Sequence, residues 1–127
     1  VAIELYQLQH DVEIQNCGFI VGEKIGYSPD GFIGPNGLIE IKSKVPKFQA
    51  QILYEQEIPS EHYMQCMGGL WTAEREWIDF VSYCPSMPIF IKRLYRDEQV
   101  IQEIDARVGL FLNELERRKQ VIMGVAA

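Results

Sequence analysis

An α/β domain, a mixed central sheet flanked by helices, is the fold class this sequence predicts. Three observations predict it. Short apolar runs bounded by Gly- and Pro-rich turns read as strands over residues 17–43 and again over 77–95. Apolar residues recurring at a 3.6-residue period read as helices at the start, in the middle and at the end of the chain. A composition of 47% hydrophobic and 24% charged residues over 127 positions suits one globular domain, or part of one.

Residues 1–10 read as the end of a helix, with Ala2, Leu5, Tyr6 and Gln9 on one stripe. The chain has no initiator methionine and opens directly in this apolar pattern, so an upstream segment is expected. Residues 17–22 (CGFIVG) predict a short strand, and the turn-rich stretch from Gly26 to Gly31 leads into a second, Gly31 to Ile33. Gly34-Pro35-Asn36-Gly37 is a strong turn signal, and Leu38 to Ser43 follows as the returning strand, which Pro46 stops. Residues 47–59 predict a loop with a short helix ending at Pro59. From Ser60, placed to cap a first turn that carries Glu61, a helix is predicted through Tyr63, Met64, Met67, Leu70 and Trp71. Trp77 to Tyr83 and Ile89 to Tyr95 predict an antiparallel pair. Asp97 caps a long terminal helix with apolar positions 100, 101, 104, 108, 111, 112 and 115, and Arg117, Arg118 and Lys119 suit its C-terminal dipole. No internal repeat or low-complexity tract occurs.

Composition excludes several classes. No apolar stretch is long enough to span a bilayer, and no basic region followed by an apolar run marks a signal peptide. Cys17, Cys66 and Cys84 are widely spaced and odd in number, which reads as reduced cysteines of a cytoplasmic protein. His10 and His62 are too few and too distant for a zinc motif. A net charge of −6 argues mildly against general nucleic-acid binding, yet basic residues need only line one face. Lys42, Lys44 and Lys47 cluster without an intervening acid, and Lys92, Arg93 and Arg96 form a second group.

The chemistry concentrates between Ser28 and Lys42. Strand side chains alternate, so Glu40 and Lys42 share a face with Leu38, while Ile39 and Ile41 point the other way. A charged pair on an otherwise apolar strand has to be paired or metal-bound. With the turn centred near Pro35 and Asn36, Asp30 falls roughly opposite Glu40, so two carboxylates converge with an ammonium one step on. Such oxygen ligands suit Mg²⁺ and the hydrolysis of a phosphodiester. Two neighbouring carboxylates favour the charged ammonium, so Lys42 is better placed to orient water and stabilise charge than to act as a base. Bland readings stand beside this one: a simple turn at Asp30, and a surface salt bridge between Glu40 and Lys42.

The ordered set resembles the lambda exonuclease / YqaJ-like viral recombinase family of the PD-(D/E)xK nuclease superfamily. Ser28-Pro29-Asp30-Gly31, followed by Gly37-Leu38-Ile39-Glu40-Ile41-Lys42, is similar to its core motif. Tyr63-Met64-Gln65 with Trp71 looks like the family helix that carries an active-site glutamine, and WIDFVSYCP (77–85) like the strand after it. The likeness covers most of residues 15–115. It implies a restriction-endonuclease-like core in which Asp30, Glu40 and the Ile41 carbonyl bind Mg²⁺ (or Mn²⁺), Lys42 is catalytic and Gln65 lies near the attacking water. Lys44 and Lys47 are expected substrate contacts, with Tyr63 supporting the site or stacking on substrate. Without the resemblance, Gln65 reads equally as a polar residue on an outer helix face and Tyr63 as core. The family also uses a glutamate on an N-terminal helix and an arginine that grips the 5′ phosphate. By this alignment the glutamate lies upstream of Val1, and Glu4 is off the expected position.

The resemblance further implies 5′-to-3′ digestion of duplex DNA with free ends, a ring-shaped trimer and a single-strand annealing partner in phage-type recombination. An endonuclease on the same core, a non-catalytic structural or binding module, and an acidic protein-binding domain are the alternatives the residues leave open.

Overall fold

The structure, a computed structural model, describes residues 1–16, 18–22 and 24–124. The chain divides into two compact units, Val1–Arg96 and Asp97–Ala127. The first unit contains α1 (Ala2–His10), β1 (Ile14–Gln15), β2 (Ile20–Val21), β3 (Gly26–Tyr27), β4 (Gly31–Ile33), β5 (Gly37–Ser43), α2 (Pro46–Glu55), α3 (Ser60–Ala73), β6 (Trp77–Tyr83) and β7 (Phe90–Tyr95). Five strands form one sheet in the order β1-β4-β5-β6-β7, and β2 and β3 form a separate two-stranded ribbon. Neighbours are antiparallel except β5 and β6, which run parallel and so need the long crossover that α2 and α3 provide. The predicted mixed sheet flanked by helices is the observed architecture.

The β4–β5 hairpin turns through residues 34–36, where Gly34 adopts φ 56°, a left-handed conformation that only glycine takes at little cost. Ile33 then pairs with Gly37 and Gly31 with Ile39. Alternation does the rest. Ile39 and Val81 turn toward α1 and join Tyr6 and Ile33 in one buried cluster. A polar tie fixes α1 there: the buried Tyr6 hydroxyl donates to Asp79, whose carboxylate also accepts two bonds from Arg93, at 2.8 and 3.0 Å. On the opposite face, the buried Phe80 ring stacks on His62 of α3, with centroids 5.4 Å apart. Gln49 of α2, fully buried, donates to the carbonyls of Ser82 and Pro88, at 3.0 Å each, and accepts from the Ser82 hydroxyl.

Local expectations failed at identifiable places. Residues 46–55 are a full helix rather than a loop with a short one, and Pro46 opens it instead of merely stopping a strand. Proline lacks the N–H that a helix's first turn leaves unused, so both roles fit the same residue. Of its two buried residues one, Gln49, is polar, which leaves Ile52 without a regular apolar stripe around it. Ser60 is the first helical residue of α3 and makes no side-chain cap; Pro59 holds the N-cap position. The strand expected over 17–22 is only Ile20–Val21, paired with Gly26–Tyr27, which lay in the stretch taken for turn; Cys17 is outside the described residues. The last strand starts at Phe90 rather than Ile89.

The second unit is α4 (Glu98–Ile122). The Asp97 side chain accepts from the Gln99 and Val100 amides, at 3.1 and 3.3 Å, as a cap should. Of the predicted apolar stripe, Ile101 is buried whereas Phe111 and Leu115 are exposed. A period identifies which positions share a face; it does not say how far along the helix that face is covered. No helix among the described residues is long and apolar enough to cross a membrane.

Candidate functional site

The site is built on β5 where β4 ends beside it. The antiparallel register that pairs Gly31 with Ile39 sets Asp30 against Glu40, and the Asp30 amide donates to the Ile39 carbonyl at 3.1 Å. One step on, β5 has outrun β4, so the Ile41 amide lacks a strand partner. It donates instead to Asp30 Oδ2, at 2.7 Å, which fixes the carboxylate at the strand end. Asp30 and Ile41 line an open cleft of about 580 Å³ together with Glu4, Ser43 and Tyr83.

Glu40 points to the α3 side of the sheet and is 5% exposed. Its Oε2 accepts from the Tyr27 hydroxyl at 2.7 Å, and its Oε1 lies 3.3 Å from the Lys42 ammonium. Burial raises the Glu40 carboxyl above its ordinary value. The Tyr27 bond pulls it back, the Asp30 charge pushes it up and Lys42 pulls it down. The net upward shift means that one ammonium and one phenol do not fully offset the burial of this carboxylate, to which the Asp30 charge adds. Hard oxygen donors in electrostatic deficit fit a divalent cation of the Mg²⁺ class. Among the described residues, no third His, Cys, Asp or Glu joins them. Glu4 lines the cleft without completing such a cluster.

Helix α3 covers this face of β5. Lys44 Nζ donates to His62 Nε2 at 2.8 Å, which requires the neutral ring with its proton on Nδ1. Burial holds His62 below its ordinary value, and the Lys44 and Lys42 charges act in the same direction, opposed by Glu61 and by a hydrogen bond with Gln65. Burial likewise pushes the Cys66 thiol up to about 12, with Glu40 adding to the effect, so Cys66 is no nucleophile.

The fold therefore sets Asp30, Glu40, Ile41 and Lys42 together where β4 meets β5, with Lys44 bonded to His62 and the exposed Gln65 bonded to the same histidine. Lys47 is exposed on the first turn of α2, and Tyr63 is half-buried on the first turn of α3. The second basic cluster is engaged elsewhere. Lys92 pairs with Glu57 at 3.2 Å, Arg93 with Asp79, and Arg96 donates to the Leu70 carbonyl at 2.7 Å. Sequence reasoning missed His62 and Tyr27. His62 stands three residues before Gln65, a spacing that puts both on one helix face and could have found it. Tyr27 carried no comparable signal, since only the β2–β3 ribbon brings it to Glu40.

No family model matches the chain, and no curated protein matches it in sequence. Solved structures do. The chain is similar to the alkaline exonuclease LHK-Exo from Laribacter hongkongensis, with 31% identity and a TM-score of 0.87 over 98% of this chain and 70% of that one. LHK-Exo in complex with dAMP gives 31% identity and a TM-score of 0.91 over 95% of this chain and 66% of that one. A phage-related exonuclease from Haemophilus somnus 129PT shares the fold at 15% identity, with a TM-score of 0.64 over 85% of this chain and 62% of that one. The chain thus spans between 66% and 70% of the LHK-Exo chains it matches. With the ordered residues Asp30, Glu40, Lys42 and Gln65 on that shared fold, it belongs to the lambda exonuclease / YqaJ-like family of the PD-(D/E)xK nuclease superfamily.

Proposed function

We propose that this chain is the catalytic core of a metal-dependent deoxyribonuclease that hydrolyses linear duplex DNA from its 5′ ends. The observation that carries the reading is the register of β4 on β5, which sets Asp30 against Glu40 with Lys42 on the same strand. Asp30, Glu40 and the Ile41 carbonyl would hold Mg²⁺, or Mn²⁺ in its place. The cation, when bound, supplies charge neutralisation of the scissile phosphate and acidification of the attacking water. Lys42, oriented by Glu40, donates to the phosphate oxygens as negative charge builds, and Gln65 orients the water. The water oxygen bonds to phosphorus, one P–O ester bond breaks, and the departing oxygen takes the proton that water gives up. Lys44 and Lys47 offer positive charge to the flanking backbone, and Tyr63 an aromatic face.

A second reading is a non-catalytic module that keeps the core for assembly. It is favoured by one observation: among the described residues only two carboxylates meet at the site. Digestion of linear and circular duplex DNA, with 5′-phosphate or 5′-hydroxyl ends and with Mg²⁺ or excess chelator, separates the readings. Chelator-sensitive loss that begins at phosphorylated 5′ ends is the expected result. Cutting of circles would indicate an endonuclease. No cleavage by this chain, nor by one extended to the length of LHK-Exo, would leave the non-catalytic module.

A further inference from the structure

We propose that Tyr27 is a positioning residue that fixes the Glu40 carboxylate for cation binding, and that Gly69 provides the slot in which it works. The inference rests on the reading of Asp30 and Glu40 as the cation site, and it adds a residue outside the Asp…Glu-x-Lys pattern. Glu40 has two oxygens, and the Tyr27 hydroxyl holds Oε2 at 2.7 Å while Lys42 stands 3.3 Å from Oε1. A ligating carboxylate held by a fixed donor does not lose rotamer freedom when the cation arrives. Such outer hydrogen bonds typically carry much of a site's affinity.

Tyr27 is not free to swing away. It lies on β3, and the β2–β3 ribbon packs against α3. A Cβ added at Gly69 would fall 2.6 Å from the Tyr27 ring and 3.0 Å from its hydroxyl oxygen. Glycine within a helix costs about 1 kcal/mol relative to alanine, so this position gives up helix stability where the phenol needs room. Any larger side chain would push the ring off the helix and draw its hydroxyl away from Glu40. Three elements distant in sequence, β3, β5 and α3, are thereby joined through one hydrogen bond and one missing methyl group.

Calorimetric titration of the full chain with Mn²⁺ tests this, comparing wild type with Tyr27→Phe and Gly69→Ala. Phenylalanine keeps the ring on Gly69 and removes only the donor. The expected result is Mn²⁺ affinity roughly 10–100-fold weaker for Tyr27→Phe, with a matching rise in the Mg²⁺ needed for half-maximal cleavage and a near-normal rate at saturating Mg²⁺. Gly69→Ala should weaken Mn²⁺ binding in the same direction. Equal Mn²⁺ affinity for wild type and a folded Tyr27→Phe overturns the inference alone. No Mn²⁺ binding by wild type overturns the cation-site reading and the inference with it. Should Gly69→Ala fail to fold, Tyr27→Phe decides the matter.

Discussion

Lys42 sits where two demands meet. Its ammonium stands 3.3 Å from the buried Glu40 carboxylate. Lys42→Ala is expected to lower the cleavage rate by on the order of 10²–10³, the cost typical of losing one preorganised donor to a developing oxyanion. Because Tyr27 still holds Glu40, the variant should remain folded by circular dichroism; normal cleavage by the folded variant would sink the assigned role. His62 sets a pH dependence. Its folded value lies below the ordinary 6.5, through burial first and Lys44 second. The unfolded chain therefore takes up the proton more readily than the fold. The contribution of His62 to stability is complete above pH 6.5 and is lost as pH falls from there through the folded value. Thermal unfolding followed across that window should show the melting temperature dropping with acid, and His62→Gln, which keeps an acceptor for Lys44, should drop less. Parallel curves for the two proteins would contradict this.

At the scale of elements, α2 is held by a buried polar network at Gln49 as well as by the buried Ile52. Gln49 satisfies the Ser82 hydroxyl and the carbonyl of Ser82, both buried, and the part-buried carbonyl of Pro88. Gln49→Leu leaves the two Ser82 groups unpaired, and each buried orphan costs about 1–3 kcal/mol. Urea unfolding should register a loss of at least that size, with no cleavage chemistry removed directly. Adding Ser82→Ala to Gln49→Leu should recover part of it, since one orphan disappears; a strictly additive loss would show that the network is not the cause. The polar Gln49 breaks the apolar pattern that would mark α2 in the sequence. Hydrophobic periodicity carries no information about a helix anchored by an amide. The antiparallel hairpin, in contrast, was legible, because glycine at 34 and alternation on both sides leave few registers open.

For the whole molecule, a cation bound to the folded state and not to the unfolded chain adds stability in proportion to its occupancy. Mg²⁺ at about one hundred times its dissociation constant should add about 2.7 kcal/mol, seen as a rise in melting temperature that chelator reverses and Asp30→Asn abolishes. The same rise in Asp30→Asn would place the cation elsewhere. From sequence came the α/β class, the hairpin, the family, and the sharing of one β5 face by Glu40 and Lys42. These follow from local causes: turn chemistry, a two-residue side-chain period and residue types in order along a short stretch. Tertiary structure decided the rest. It brought Tyr27 and Gly69 to Glu40, set His62 against Lys44, turned the Arg93 charge inward to Asp79, and gave α2 its polar anchor. Each of those contacts joins segments whose separation in sequence carries no pattern, and only the packing of helix and ribbon on the sheet brings their atoms within reach.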